Sequence, residues 1–139
     1  MKQILEDQLA SLKILLVSDS PITNSRIRAG LSDESKFCIE WVRRLPEAIA
    51  RIRKSEAQVV LFEPYLPGIE VNDAVSQMFG ASPQAPVIIL DDGDHPDLVS
   101  KSARLGARDF LSTEHIDTYS LTQILKYVLE RQSVEDALF

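Results

Sequence analysis

Apolar residues gather along this chain in five short runs, and between the runs they recur every three or four positions. The runs are Lys13 to Val17 (KILLV), Phe37 to Val42 (FCIEWV), Val59 to Phe62 (VVLF), Val87 to Leu90 (VIIL) and Arg108 to Leu111 (RDFL). KILLV, VVLF and VIIL lack polar alternation, which is how strands covered on both faces read. The spacing between runs predicts helices. The first spans Pro21 to about Leu31, with Ile22, Ile27 and Leu31 inward. The second spans Pro46 to Lys54, with Ala48, Ile49 and Ile52 inward. The third spans Glu70 to Phe79, with Val71, Ala74, Val75 and Met78 inward. The fourth runs from Pro96 to Leu105 and is closed by Gly106. The fifth runs from about Asp117 into the C-terminus on Leu121, Ile124, Leu125 and Val128.

Strands alternating five times with helices define an α/β fold with a parallel sheet. Right-handed crossovers then favour a flavodoxin-like three-layer sandwich, with five strands in the order 2-1-3-4-5 and five helices. Three segments follow: a lead-in helix over residues 1–12, a domain over 13–129, and a helical extension over 130–139. In the lead-in, Ile4, Leu5, Leu9 and Leu12 share one side, which predicts a docked or dimerising element.

The third strand ends on Glu63 and breaks into Pro64-Tyr65-Leu66-Pro67-Gly68. A carboxylate is thereby delivered to the carboxyl edge of the sheet, where open α/β folds bind ligands. The strand order makes Asp19, at the end of the first strand, its neighbour across the switch point.

Composition narrows the function classes. A chain of 139 residues, 45% hydrophobic and 26% charged, is expected to form one globular domain. No apolar run is long enough for a membrane span, and Met1 to Leu12 contains Glu6 and Asp7, unlike a secretory signal. A cytoplasmic location is the expectation. A net charge of -6 argues against general nucleic-acid binding. Arg43, Arg44, Arg51, Arg53 and Lys54 cluster locally and read either as a solvated helix face or as a patch for an acidic partner. Single Cys38 reads as a core or edge residue, Trp41 as a strand residue packed at one end of the sheet, and His95 and His115 as helix-cap or surface groups. Asp91, Asp92, Asp94 and Asp97 read as turn and cap residues.

Taken together, KILLV-Ser18-Asp19, LFEPYLPG, PVIIL-Asp91 and Gly106-Ala-Arg-Asp-Phe110-Leu-Ser-Thr113 resemble the receiver domain of two-component response regulators, from Lys13 to about Leu129. In that family an Asp accepts a phosphoryl group, acidic residues hold Mg²⁺, a Lys offsets phosphoryl charge, and a Ser/Thr hydroxyl reports to a switch aromatic. By this resemblance Glu63 stands at the phosphoacceptor position, Ser18 at the first acidic position, Asp91 at the hydroxyl position and Thr113 at the Lys position. Asp19, and Phe110 at the switch aromatic, keep the pattern. Glu is longer than Asp by about 1.5 Å, and a misplacement near 1 Å can cost about a hundredfold in an alignment-dependent reaction. Asp91 would also set a carboxylate beside the incoming phosphoryl anion.

The resemblance therefore implies a degenerate pseudo-receiver. It would be a signal-transduction module acting through protein interaction or dimerisation without phosphorylation, not an enzyme, and needing no cofactor. Glu63 keeps three readings: structural, phosphomimetic, or part of a Mg²⁺ or Ca²⁺ site made by Asp19, Glu63 and the carbonyl of Tyr65, with Asp91 nearby. A residual phosphoacceptor is the competing function. A flavin- or nucleotide-binding enzyme shares the fold, but no Gly-rich phosphate loop follows the first strand. The expected partners are a second copy, through the fourth and fifth helices and the C-terminal extension, and a covalently linked output domain or partner signalling protein. Neither nucleic acid nor membrane is expected.

Overall fold

The structure, a computed structural model, describes residues 12–33 and 36–138, without the side chains of residues 135–138. The lead-in segment lies outside the described residues up to Leu12, and Leu12 itself opens the first strand instead of closing a helix. The elements are β1 (Leu12–Val17), α1 (Pro21–Gly30), β2 (Phe37–Val42), α2 (Leu45–Arg53), β3 (Val59–Phe62), α3 (Val71–Gly80), β4 (Val87–Asp91), α4 (Pro96–Leu105), β5 (Asp109–Ser112) and α5 (Thr118–Leu138), with a 3-10 turn at Thr113–His115.

All strand pairs are parallel, in the order β2-β1-β3-β4-β5. The continuous apolar runs are explained by their position. Residues of β3 are buried along the whole strand, as are those of β4, because helices cover both faces of the sheet. Alternate residues feed two cores. Leu15, Val17, Val60, Phe62 and Ile89 join α2 and α3 through Ala48, Ile52, Val75 and Met78, while Ile14, Leu16, Leu61, Ile88 and Leu90 join α1 and α5 through Ile27, Leu121, Leu125 and Val128. On the edge strand β2, Cys38 is exposed.

One expected core residue is displaced. Ile22 is 65% exposed, and Thr23 takes the inward place, so the buried positions of α1 are Thr23, Ile27 and Gly30, followed by Leu31. This is a regular helical stripe, and the Ser20 hydroxyl caps it by accepting the Thr23 N–H at 3.2 Å. α1 then closes on α5 so tightly that a Cβ on Gly30 would lie 2.5 Å from Leu121 Cδ1. Among the described residues no helix is long and apolar enough to cross a membrane.

Candidate functional site

The carboxyl ends of β1, β3 and β4 bring the predicted residues to one rim. The pairing of Val17 with Phe62 sets Ser18 beside Glu63, and the ladder continues through the Glu63 N–H to the Val17 carbonyl at 2.8 Å. On the other side Ser18 donates its N–H to the Val42 carbonyl at 3.1 Å. Ser18 is therefore fully buried between β2 and β3. Its hydroxyl has one outlet and donates to Glu63 Oε1 at 2.6 Å, the short distance expected of a hydroxyl on a carboxylate. Ser18 Oγ itself accepts the Ser20 N–H at 3.1 Å, which ties the pair to the start of α1.

Asp19 turns outward. Arg43, just beyond β2, donates Nε to Asp19 Oδ1 at 3.1 Å and a terminal nitrogen to the Asp19 carbonyl at 3.0 Å. Its guanidinium also stacks 4.9 Å from the Trp41 ring centroid. Trp41 completes the clamp by donating Nε1–H to the Ser18 carbonyl at 2.7 Å. Trp41 thus fixes the backbone of the site, and of the local basic cluster Arg43 is the member that reaches it.

The third acid is held separately. Asp91 is 4% exposed, and both its oxygens have partners: the Tyr65 hydroxyl donates to Oδ1 at 3.0 Å, and the Gly93 N–H donates to Oδ2 at 3.0 Å. Tyr65 Oη also lies 2.6 Å from His95 Nδ1, which stands 3.2 Å from Asp91 and 2.9 Å from Asp92. Partial burial, then the bond to Asp91, then the charges of Asp91, Asp92 and Glu63 raise the Tyr65 phenol well above its ordinary range, so it stays a donor. For His95, partial desolvation alone would lower the imidazole, but Asp92 and Asp91 together outweigh it and raise the pKa. Asp92 is held below the usual carboxylate value, first by the Asp94 N–H at 2.9 Å and then by His95.

Among the described residues, Asp91, Asp92 and His95 are the one group of three metal-type ligands with donor atoms within 4.8 Å of one another. The set expected from sequence is a different one, two carboxylates, Asp19 and Glu63, with the backbone carbonyl of Tyr65. Each of those carboxylates faces a different protein partner. From sequence, Tyr65 has a role through its backbone carbonyl; its side chain also links the end of β3 to β4 through the hydroxyl. Thr113 opens the 3-10 turn, and its carbonyl accepts Arg26 of α1 at 2.8 Å. Phe110 is half-buried against the core that contains Phe62. His115 lies exposed in the same turn as Thr113.

A five-stranded parallel sheet in this order, with an acidic rim at the β1–β3 switch point, defines the CheY-like branch of doubly wound folds. Residues 14–128 match the response regulator receiver domain family, and the chain belongs to it. The transcriptional regulatory protein QseB of Escherichia coli O157:H7 is 26% identical over 100 residues, covering 72% of this chain and 45% of QseB. The chain thus spans about half the length of that curated relative or less. A signal receiver domain attributed to a Luxo repressor protein of Vibrio parahaemolyticus superposes with a TM-score of 0.76 at 26% identity, covering 92% of this chain and 97% of that one. The CheY-like receiver domain of Methanospirillum hungatei JF-1 gives 0.74 at 20% identity, covering 90% and 98%, and supports the fold alone.

Proposed function

We propose that this receiver domain works in two-component signalling as a phosphorylation-independent interaction module. Glu63 is the residue at the phosphoacceptor position, and it serves as a structural carboxylate. The observation that carries this reading is the Ser18–Glu63 hydrogen bond of 2.6 Å. The residue in place of a metal-binding acid satisfies the residue in place of the nucleophile. Around that pair Arg43 neutralises Asp19, and Tyr65 holds Asp91.

The donor set does not suit a Mg²⁺ ion. One expected carboxylate is Ser18, a second is ion-paired to a cation, and the hard oxygen ligands that Mg²⁺ demands in near-octahedral array are reduced to Glu63 and the Tyr65 carbonyl. A cation reading on Asp19, Glu63 and Tyr65 requires Arg43 to leave Asp19. Phosphotransfer without a metal lacks the charge stabilisation on which such chemistry depends, so we read the domain as no enzyme. The phosphomimetic reading is weaker than the structural one, because the hydroxyl that would sense Glu63 is replaced by Asp91, which is itself engaged by Tyr65.

Information then passes through surfaces. We infer a homodimer through α4, α5 and the C-terminal extension, and an output carried by a linked domain or a separate signalling protein in the cytoplasm. The test is incubation with Mg²⁺ and beryllofluoride, followed by amide spectra, alongside acetyl phosphate followed by intact mass. Unchanged spectra and mass are expected. A stable adduct or shifted amides around Glu63 overturns the reading. Calorimetry with millimolar Mg²⁺ and Ca²⁺ is expected to show no heat.

A further inference from the structure

The end of β4 and the start of α4 bring an imidazole and two carboxylates to one point. Asp91 closes β4 with its side chain 6% exposed, Gly93 turns the chain at a φ of 94°, and His95 directly precedes Pro96, the first residue of α4. That turn carries His95 back over Asp91 and Asp92. The Tyr65 ring stands 5.1 Å from the imidazole, centroid to centroid, and fixes the way it faces. Nδ1 thereby meets three oxygens at once: Tyr65 Oη at 2.6 Å, Asp92 Oδ1 at 2.9 Å and Asp91 Oδ1 at 3.2 Å. A ring nitrogen offers either one lone pair or one N–H, so hydrogen bonding from Nδ1 cannot serve all three. No Lys or Arg relieves the charge either. Among the described residues, Asp91 and Asp92 form ion pairs with His95 alone.

We propose that Asp91, Asp92 and His95 bind a borderline first-row divalent cation of the Zn²⁺ type, through one oxygen of each carboxylate and the Nδ1 lone pair. One such ion takes the place of the proton and serves the converging donors together. The donor atoms of the three residues lie within 4.8 Å of one another. Bonds of about 2.1 Å to Zn²⁺ set neighbouring donors about 3.4 Å apart in a tetrahedron. The nitrogen–oxygen separations of 3.2 Å and 2.9 Å come close to this, so the donors open by about half an ångström at most. An imidazole in the set selects against Mg²⁺ and Ca²⁺, which take oxygen ligands and more of them. The carboxylates are also oriented from behind: Gly93 N–H donates to Asp91 Oδ2 at 3.0 Å, Asp94 N–H to Asp92 Oδ1 at 2.9 Å, and the Tyr65 hydroxyl to Asp91 Oδ1 at 3.0 Å. The side chains of His95 and Asp92 are 40% and 42% exposed, so the ion enters from solvent and its fourth position faces water or a partner's side chain. Bound there, the cation ties the end of β4 to the start of α4. It uses neither Asp19 nor Glu63, so the site stands apart from the phosphorylation-independent reading.

The test uses the full chain with Cys38→Ser, since Cys38 is exposed and a thiol also takes Zn²⁺. Zn²⁺ is titrated against a chromophoric chelator at several protein concentrations. One ion per chain is expected, with an affinity that falls by about a hundredfold or more in His95→Gln. An affinity that His95→Gln leaves unchanged overturns the proposal. So does half an ion per chain, which marks a bridge between two copies, and so does displacement of the Zn²⁺ by millimolar Mg²⁺, which marks an oxygen site. A second reading needs no variant at the site: the His95 ring signals of the metal-free chain are expected to shift as Zn²⁺ is added, and unmoved signals overturn it.

Discussion

Ser18 is fully buried and makes its one side-chain donation to Glu63, so removing the hydroxyl separates a structural carboxylate from a catalytic one. Ser18→Ala leaves Glu63 without its donor and the Ser20 N–H without its acceptor. It is expected to cost about 1–3 kcal/mol of stability, measured by urea titration, with the response to beryllofluoride still absent. A second residue-scale expectation concerns pH. The folded state raises the His95 pKa above its ordinary 6.5, so it binds the proton more tightly than the unfolded chain does. The contribution is complete below the unfolded value near 6.5 and is lost as pH rises through the higher folded value. Thermal melts from pH 5.5 upward are therefore expected to show a fall in stability above neutrality that His95→Gln flattens. Parallel profiles for the two proteins would show that Asp91 and Asp92 do not couple to the ring. Asp92 acts at the other end: its depressed pKa gives stability above the ordinary 3.8 that is lost as pH falls through the folded value.

Elements were legible where burial leaves a one-sided signature. β3 and β4 read directly as strands because both faces are covered and every residue is apolar up to the rim. Gly106 read as the stop of α4 because its φ of 120° is open to glycine and strained for other residues. α1 was harder. Hydrophobicity favours Ile22 as the inward residue, yet the spacing Thr23, Ile27, Gly30, Leu31 is the better helical stripe, and a small polar residue fills the place under the cap. The rim was legible as a gathering of acids, because topology alone brings strand ends together. Its partners were not, since Arg43 to Asp19, Trp41 to Ser18 and Tyr65 to Asp91 depend on side-chain reach between strands far apart in sequence. The α1–α5 contact gives this scale its own prediction. Replacing Gly30 by Ala raises helix propensity by about 1 kcal/mol, but the new methyl meets the buried Leu121 at 2.5 Å. Overpacking of about 1–3 kcal/mol outweighs the gain, so Gly30→Ala is expected to lower the melting temperature, and pairing it with Leu121→Val is expected to recover part of the loss.

For the whole molecule, the proposed dimer rests on the face of α5 turned away from the sheet. Leu121, Leu125 and Val128 point into the core. Tyr119, Tyr127 and Val134 are 75%, 53% and 61% exposed and fall within an arc of roughly 80° at 3.6 residues per turn. On α4, Leu105 is also 44% exposed. Three large apolar groups aligned along a 21-residue helix form a seam and not scattered surface hydrophobics. In the proposed dimer a second copy presenting the same seam would bury it in an isologous contact. Each buried side chain contributes about 1.5–3 kcal/mol, so charging two of them weakens association by about a hundredfold or more. Sedimentation of the native chain across a concentration series is expected to show a dimer, and Tyr127→Glu with Val134→Glu is expected to sediment as a monomer with an unchanged melting profile in the monomer range. A native chain that stays monomeric at high concentration would leave this seam to a different partner, and the route from receiver to output would then run through a heterologous contact on the same face of α5.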